Sequence, residues 1–292
     1  MQVKNCDCRL CDFWGGERRA GGHPVDVHWD QPERLKVRRG LIPEGDETAF
    51  ERIMGTSDIF PINFLSRGMN AAKAVCKVQL YRGGQIPAGA GSGFLVAPNL
   101  LLTNNHVVRS RNMAGMAKVI FDYAITDDFS LGHTKVFTVT EDVFFTSPGD
   151  ELDYSFVSIE PSNNESAQLS DFGFLKLMAQ SGKAVKGEPV SIIHHPNGGL
   201  KSLSLRNSRI LTTQGDFITY TSDTEPGSSG APVLNDQWLP VALHHRSVPH
   251  ASIRNRWVAN RGIRISSILS HLQLHATKGN TDALRIVGLL NL

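Results

Sequence analysis

A succession of short apolar runs, punctuated by glycine and proline, narrows the folds open to this chain. The runs fall at residues 74–81, 93–97, 100–103, 118–123, 136–139 and 154–159, then at 172–177, 189–194, 201–205, 217–221, 232–234 and 239–245. No helical period separates them, so a parallel sheet with crossover helices is excluded and antiparallel barrels or sandwiches remain. The polar run Glu160-Pro161-Ser162-Asn163-Asn164-Glu165-Ser166 divides the series into two groups of similar length. The economical architecture is mainly β: two antiparallel six-stranded barrels, the first over residues 73–160 and the second over 167–265.

Helices are expected only at the ends. Residues 43–72 turn helical, first over Thr48 to Met54 with Gly55 as a stop, then through Phe64, Leu65, Met69 and Ala72. Ile265, Ile268, Leu269 and Leu272 share one face of a closing helix over 265–275. The organisation is thus an extension over 1–72, a domain over 73–278 and a tail over 279–292. Residues 1–40 lack a sustained hydrophobic period and read as a leader or a partner-docking arm. Within them Cys6, Cys8 and Cys11, with His23 and His28, could hold zinc, but no second cysteine pair completes the usual spacing.

Composition bounds the partners. A net charge of +2 makes no electrostatic case for nucleic acid or an acidic membrane surface. No apolar run approaches the roughly 18 residues that would span a bilayer. The N-terminus carries no secretory pattern and the 4 cysteines make no disulfide framework, so a cytoplasmic setting is expected.

The chemistry centres on Gly227-Ser228-Ser229-Gly230, a tight polar turn before the apolar run that starts at Ala231. Gly227 lets the backbone bend so that its N–H and that of Ser229 can face one cavity, where they would stabilise an oxyanion. A serine hydroxyl is a weak nucleophile, so a base and an orienting carboxylate are required. His106 sits where the apolar strand Leu100-Leu101-Leu102-Thr103 gives out into a polar corner, a fixed position suited to proton transfer. His23, His28, His133, His250, His271 and His275 read as surface residues, and His194 and His195 as structural or rim residues. Asp153 leads directly into the apolar run at 154–159 and is favoured over Asp142 and Asp150 as the orienting carboxylate.

Four segments in this order carry a family resemblance: Gly91-Ser92-Gly93-Phe94, Leu102-Thr103-Asn104-Asn105-His106, Leu152-Asp153-Tyr154-Ser155 and Gly227-Ser228-Ser229-Gly230. Over about residues 74–272 the chain resembles the trypsin-like serine peptidases of chymotrypsin fold, most closely the bacterial branch that includes the glutamyl endopeptidases. His195-Pro196-Asn197-Gly198 followed by Lys201 is similar to a loop of that branch. The resemblance implies a double β-barrel, a His106–Asp153–Ser229 triad and an oxyanion hole from the N–H groups of Gly227 and Ser229. The order His, Asp, Ser also argues against an α/β-hydrolase, which runs Ser, acid, His. The expected activity is endopeptidase hydrolysis of a protein or peptide substrate, with no cofactor; the rival is a silent adaptor binding a segment in the old cleft.

One departure concerns control. Ser228 stands where digestive relatives carry the Asp that pairs with a new N-terminal amine after zymogen cleavage. That switch cannot operate in this chain, so residues 1–72, or a regulatory protein docking on them, are expected to gate it. Specificity stays open. Asp223 occupies the pocket-base position that selects basic residues in trypsin, while Thr224 and His244 match residues that hold glutamate in glutamyl endopeptidases.

Overall fold

The computed structural model describes residues 60–292 except 84, 164–166, 181, 206 and 250–256. The cysteine cluster Cys6, Cys8 and Cys11 and the helix expected over 48–54 lie outside the described residues.

Six strands build the first barrel: β1 (Val75–Arg82), β2 (Ile86–Ala97), β3 (Leu100–Thr103), β4 (Ala117–Phe121), β5 (Lys135–Ser147) and β6 (Tyr154–Ile159). They pair in the order β1-β2-β3-β6-β5-β4, and antiparallel pairing of β1 with β4 closes the ring. Strands β3 and β6 are buried along their whole length. Both belong to the core that two C-terminal helices, α3 (Ile265–Thr277) and α4 (Thr281–Leu290), complete with Ile265, Ile268, Leu269, Leu272 and Ile286, and Tyr154 OH of β6 lies 2.7 Å from His271 Nδ1 of α3. Burying each such leucine or isoleucine stabilises the fold by about 1.5–3 kcal/mol. The fourth helix was not foreseen: residues 281–290 form a capped helix, with the Asn280 side chain accepting the Ala283 N–H at 2.9 Å. The short helix α2 (Arg111–Ala114) is tied to α4 by an Arg111–Asp282 ion pair.

The second sheet contains β7 (Ser191–His194), β8 (Ser202–Ser204), β9 (Ile210–Gln214), β10 (Phe217–Tyr220), β11 (Pro232–Leu234), β12 (Pro240–Pro249) and β13 (Trp257–Arg264). Its order is β8-β7-β11-β12-β13-β10-β9. The segment leading into β7 then bridges to β9 through Pro189 and Arg209, with Val190 N–H donating to Ser208 O at 3.0 Å. Without the short β8, the ring β7-β9-β10-β13-β12-β11 repeats the strand order of the first barrel. The two halves share a topology that no sequence repeat announces. A separate core of Val190, Ile192, Ile210, Ile218, Tyr220 and Val233 fills it.

Two strand expectations need correction, and two strands lay outside the expected runs. Residues 172–177 pair with no strand: Phe172 ends a 3-10 turn, and Leu175 N–H makes a single bond to Leu95 O at 2.8 Å while Leu175 and Leu177 pack into the first core. Their apolar spacing reflects packing, not pairing. Strands β9 and β13 carried too few apolar residues to be seen. Strand β5 runs far beyond 136–139, because the register breaks between Thr140 and Phe144 where Glu141 and Asp142 are exposed.

The preface helix α1 (Asn63–Lys73) packs on the second barrel. Trp238 Nε1–H donates to Phe64 O at 2.9 Å, and its ring lies over Gly68, where a Cβ would come within 2.5 Å of it. Among the described residues no helix is long and apolar enough to cross a membrane.

Candidate active site

The two barrels meet at Ser92 of β2. Its N–H donates to Ser229 O and its hydroxyl to Gly227 O, both at 2.8 Å, and the hydroxyl accepts His195 N–H at 2.9 Å. Thr103 Oγ1 donates to Ser92 O at 2.8 Å. The segment Gly91-Ser92-Gly93 is therefore a clamp by which the first barrel grips the serine turn of the second. Gly230 makes the approach possible, since its φ is +88° and a Cβ there would lie 2.1 Å from Ser92 O.

On the first barrel His106 follows the end of β3 and Asp153 immediately precedes β6, its neighbour in the ring. Asn104, itself buried, donates from Nδ2 to Asp153 O at 2.8 Å and ties the two strand ends together. Asp153 is 1% exposed and adopts a left-handed φ of 47°, a strained conformation for a residue other than glycine. Its carboxylate receives His106 N–H on Oδ1 at 2.9 Å and His106 Nδ1 on Oδ2 at 2.6 Å. Burial alone would push the Asp153 carboxyl up; hydrogen bonds from His106 and His245 and the attraction of His106 outweigh it and hold the group well below the usual range.

His245 is the contact that sequence reading missed. Its Nε2 lies 3.1 Å from the same Asp153 Oδ2. The residue sits in a β-bulge, since the β12–β13 register jumps between His244 and Arg246. The bulge re-aims the His245 ring at the carboxylate. With its proton on Nε2, its Nδ1 is left buried without a partner. The ligand atoms of His106, Asp153 and His245 lie within 4.8 Å of one another, the grouping among the described residues that could take a metal ion.

Ser229 is half-buried and faces the same cleft of ≈ 940 Å³ that His106, Asp153, Thr224, His244 and His245 line. Its hydroxyl donates to His245 O at 3.4 Å, and no hydrogen bond joins it to the His106 ring. A χ1 rotation would redirect it. Gly227, at φ +93°, packs so closely on the 195–198 turn that a Cβ would lie 2.6 Å from Gly198 N. Neither the Gly227 nor the Ser229 N–H has an acceptor among the described residues.

The residue before Ser229 is held in a neutral buried network. Ser228 is fully buried; its Oγ accepts Glu225 N–H at 3.2 Å and lies 2.7 Å from His194 Nδ1. His194 Nε2 lies 3.1 Å from Ser204 Oγ, which donates to Asp223 O at 2.7 Å. Only one arrangement of protons satisfies every member: Ser228 donates to His194 Nδ1, and His194 Nε2–H donates to Ser204. Burial pushes His194 down to about 4, which keeps it neutral in this role. His194 is thus structural, and His195 is fully buried with Nδ1 2.9 Å from Gly199 O rather than at the rim. His271, read as a surface residue, is instead half-buried with Nδ1 2.7 Å from Tyr154 OH.

The specificity candidates separate. Asp223 is exposed and lies outside the cleft lining, whereas Thr224 and His244 line the cleft. Thr224 Oγ1 donates to Asn260 Oδ1 at 2.9 Å, which also accepts from Ser247 at 3.0 Å. His244 Nδ1 lies 2.6 Å from Tyr220 OH, and burial, with His194, His245 and His106 nearby, pushes it down to about 3.

Comparisons with known proteins agree with this architecture. Residues 91–243 match the family model of the trypsin-like peptidase domain. The chain is 36% identical over 263 residues to an uncharacterized protein, y4fB, of Sinorhizobium fredii; the match takes in 78% of this chain and 40% of that one, so the chain spans less than half of this relative's length. Among solved structures, the active form of the Rv3671c protease of M. tuberculosis matches 76% of this chain and 92% of its own at a TM-score of 0.51 and 18% identity. An inactive form of the same protein matches 78% of this chain and all of its own, also at 0.51, with 16% identity. At that identity these structures support the chymotrypsin-like double barrel, while the family match goes further: this chain belongs to the trypsin-like peptidases.

Proposed function

We propose that this chain is a serine endopeptidase. Ser229 attacks the peptide carbonyl, His106 takes its proton and passes it to the leaving amine, and Asp153 orients His106 and stabilises its cation. Water activated through His106 then hydrolyses the acyl-enzyme. The N–H groups of Gly227 and Ser229 receive the oxyanion. The observation that carries this reading is the 2.6 Å pairing of His106 Nδ1 with buried Asp153 across one cleft from Ser229. The residue next to the cleaved bond enters the side of the cleft formed by Thr224 and His244, so Asp223 selects no basic residue there.

Turnover of an unstructured protein substrate tests the reading: wild type cleaves it, Ser229→Ala does not, and both unfold at the same temperature. Cleavage by the folded alanine variant would refute it. The placement of the Ser229 hydroxyl on His245 O favours a second reading, a silent binding module. Failure of the folded protein to react with a fluorophosphonate would favour that module. Control through residues 1–72, or a partner docking on them, and a cytoplasmic setting belong to the same proposal; unchanged activity and partner binding after deletion of 1–40 would count against the first.

A further inference from the structure

Beyond the Thr224–His244 side, the cleft holds two guanidinium groups that the mechanism leaves unused. Arg246 and Arg261 both line it, and they stand directly opposite each other in the β12–β13 register. Directly opposed residues on paired strands share a face, and like charges so placed repel. Neither arginine makes an ion pair with a carboxylate among the described residues, and Arg261 Nε is buried with no hydrogen-bond partner. The Arg261 guanidinium is held over the Phe217 ring at 4.3 Å, so its position is fixed. Burial and the charge of Arg246 both push Arg261 down from its ordinary value. The remaining carboxylates of the cleft are committed elsewhere: Asp153 to the two imidazoles, and Glu225 to Asn197 Nδ2, which donates at 2.6 Å.

This pair is separate from the Thr224 side. Neighbouring residues of a strand point to opposite faces. Asn260 turns to Thr224 and Ser247, and Arg261 turns away from them to Phe217. Two opposed cations with an orphaned donor, fixed on rigid strands beside a nucleophile, have the donor set of a carboxylate receptor.

We infer that Arg246 and Arg261 form an anion-recognising subsite that takes an acidic side chain of the substrate, at a position other than the residue next to the cleaved bond. The inference rests on the peptidase reading for its substrate and on the arginine geometry for its chemistry. The test compares peptides that differ only by Glu or Gln at each position around the cleaved bond, with the full chain. At one such position Glu should raise kcat/KM about tenfold or more over Gln, an advantage that shrinks as salt is added. Arg246→Gln and Arg261→Gln should each erode the advantage while fluorophosphonate labelling of Ser229 persists. Arg246→Glu should favour Lys at that position. Equal cleavage of the Glu and Gln peptides by wild type, or an advantage that survives both Gln variants, would overturn the inference. Binding of the same fluorescent peptides to Ser229→Ala reads the subsite without turnover, so a failed peptidase reading and a failed subsite are distinguishable. Equal affinities for Glu and Gln peptides there would overturn it as well.

Discussion

Asp153→Asn keeps the shape of the side chain and removes its charge. In the native site Oδ1 accepts the His106 backbone N–H at 2.9 Å, while Oδ2 serves His106 Nδ1 at 2.6 Å and His245 Nε2 at 3.1 Å. An asparagine keeps the first bond by presenting its carbonyl there, which turns its NH₂ group toward both imidazoles. His106 must then carry its proton on Nε2, the nitrogen left to serve Ser229, and can no longer accept a proton from it. Two charge-assisted bonds at about 1.5–3 kcal/mol each put the loss at ~3–6 kcal/mol. That corresponds to roughly 10²–10⁴ in rate. The wrong tautomer alone costs about 10⁴ in a triad of this type. The expected fall in kcat is therefore about 10³–10⁴-fold, with KM nearly unchanged. Stopped assays on a fluorogenic peptide read the rate, and thermal unfolding verifies that the variant is folded. A folded variant within tenfold of wild type would refute the reasoning, because His106 would then not depend on the carboxylate.

Further outcomes follow from the buried network. His194 is pushed down to about 4, and His195 and His244 to about 3, each chiefly by burial. Between those values and the ordinary 6.5 the unfolded chain binds more protons, so stability is full above about pH 6.5 and falls as pH drops. Each histidine contributes up to about 1.4 kcal/mol per pH unit, several kcal/mol together by pH 5. Urea unfolding at pH 7.5 and pH 5 measures this; equal midpoints would contradict it. Gly227→Ala would place a Cβ 2.6 Å from Gly198 N in a left-handed conformation, displacing an oxyanion donor, and should lower kcat by about 10²–10³-fold. His194→Ala cuts the chain from Ser228 to Ser204. It should lower stability by about 2–4 kcal/mol and slow fluorophosphonate labelling, whereas unchanged labelling would show that the serine turn needs no such support.

The parts of the site read from sequence are those where an apolar strand gives way abruptly to polar residues. His106 and Asp153 flank β3 and β6, whose runs Leu100-Leu101-Leu102 and Phe156-Val157 are uninterrupted because both faces are buried. Strand β13 stayed hidden for the opposite reason: Arg261 lines the cleft and buried Asn260 accepts from Thr224 behind it, so its apolar pattern is broken where the site needs polar groups. His245 was invisible because its role depends on a bulge, and a register is a property of two strands. The link from His194 to Ser228 crosses 34 residues of chain and leaves no local signal. The shared strand order of the two barrels is likewise topological, carried by pairing rather than by repeated residues.

The most direct measurement is the site of covalent modification. The full chain is treated with a fluorophosphonate, digested and mapped by mass spectrometry. The account predicts an adduct on Ser229, greatly slowed in Asp153→Asn and lost in Ser229→Ala. An adduct on Ser228 or another serine, or none on a folded protein, would contradict the assignment of Ser229 as the nucleophile.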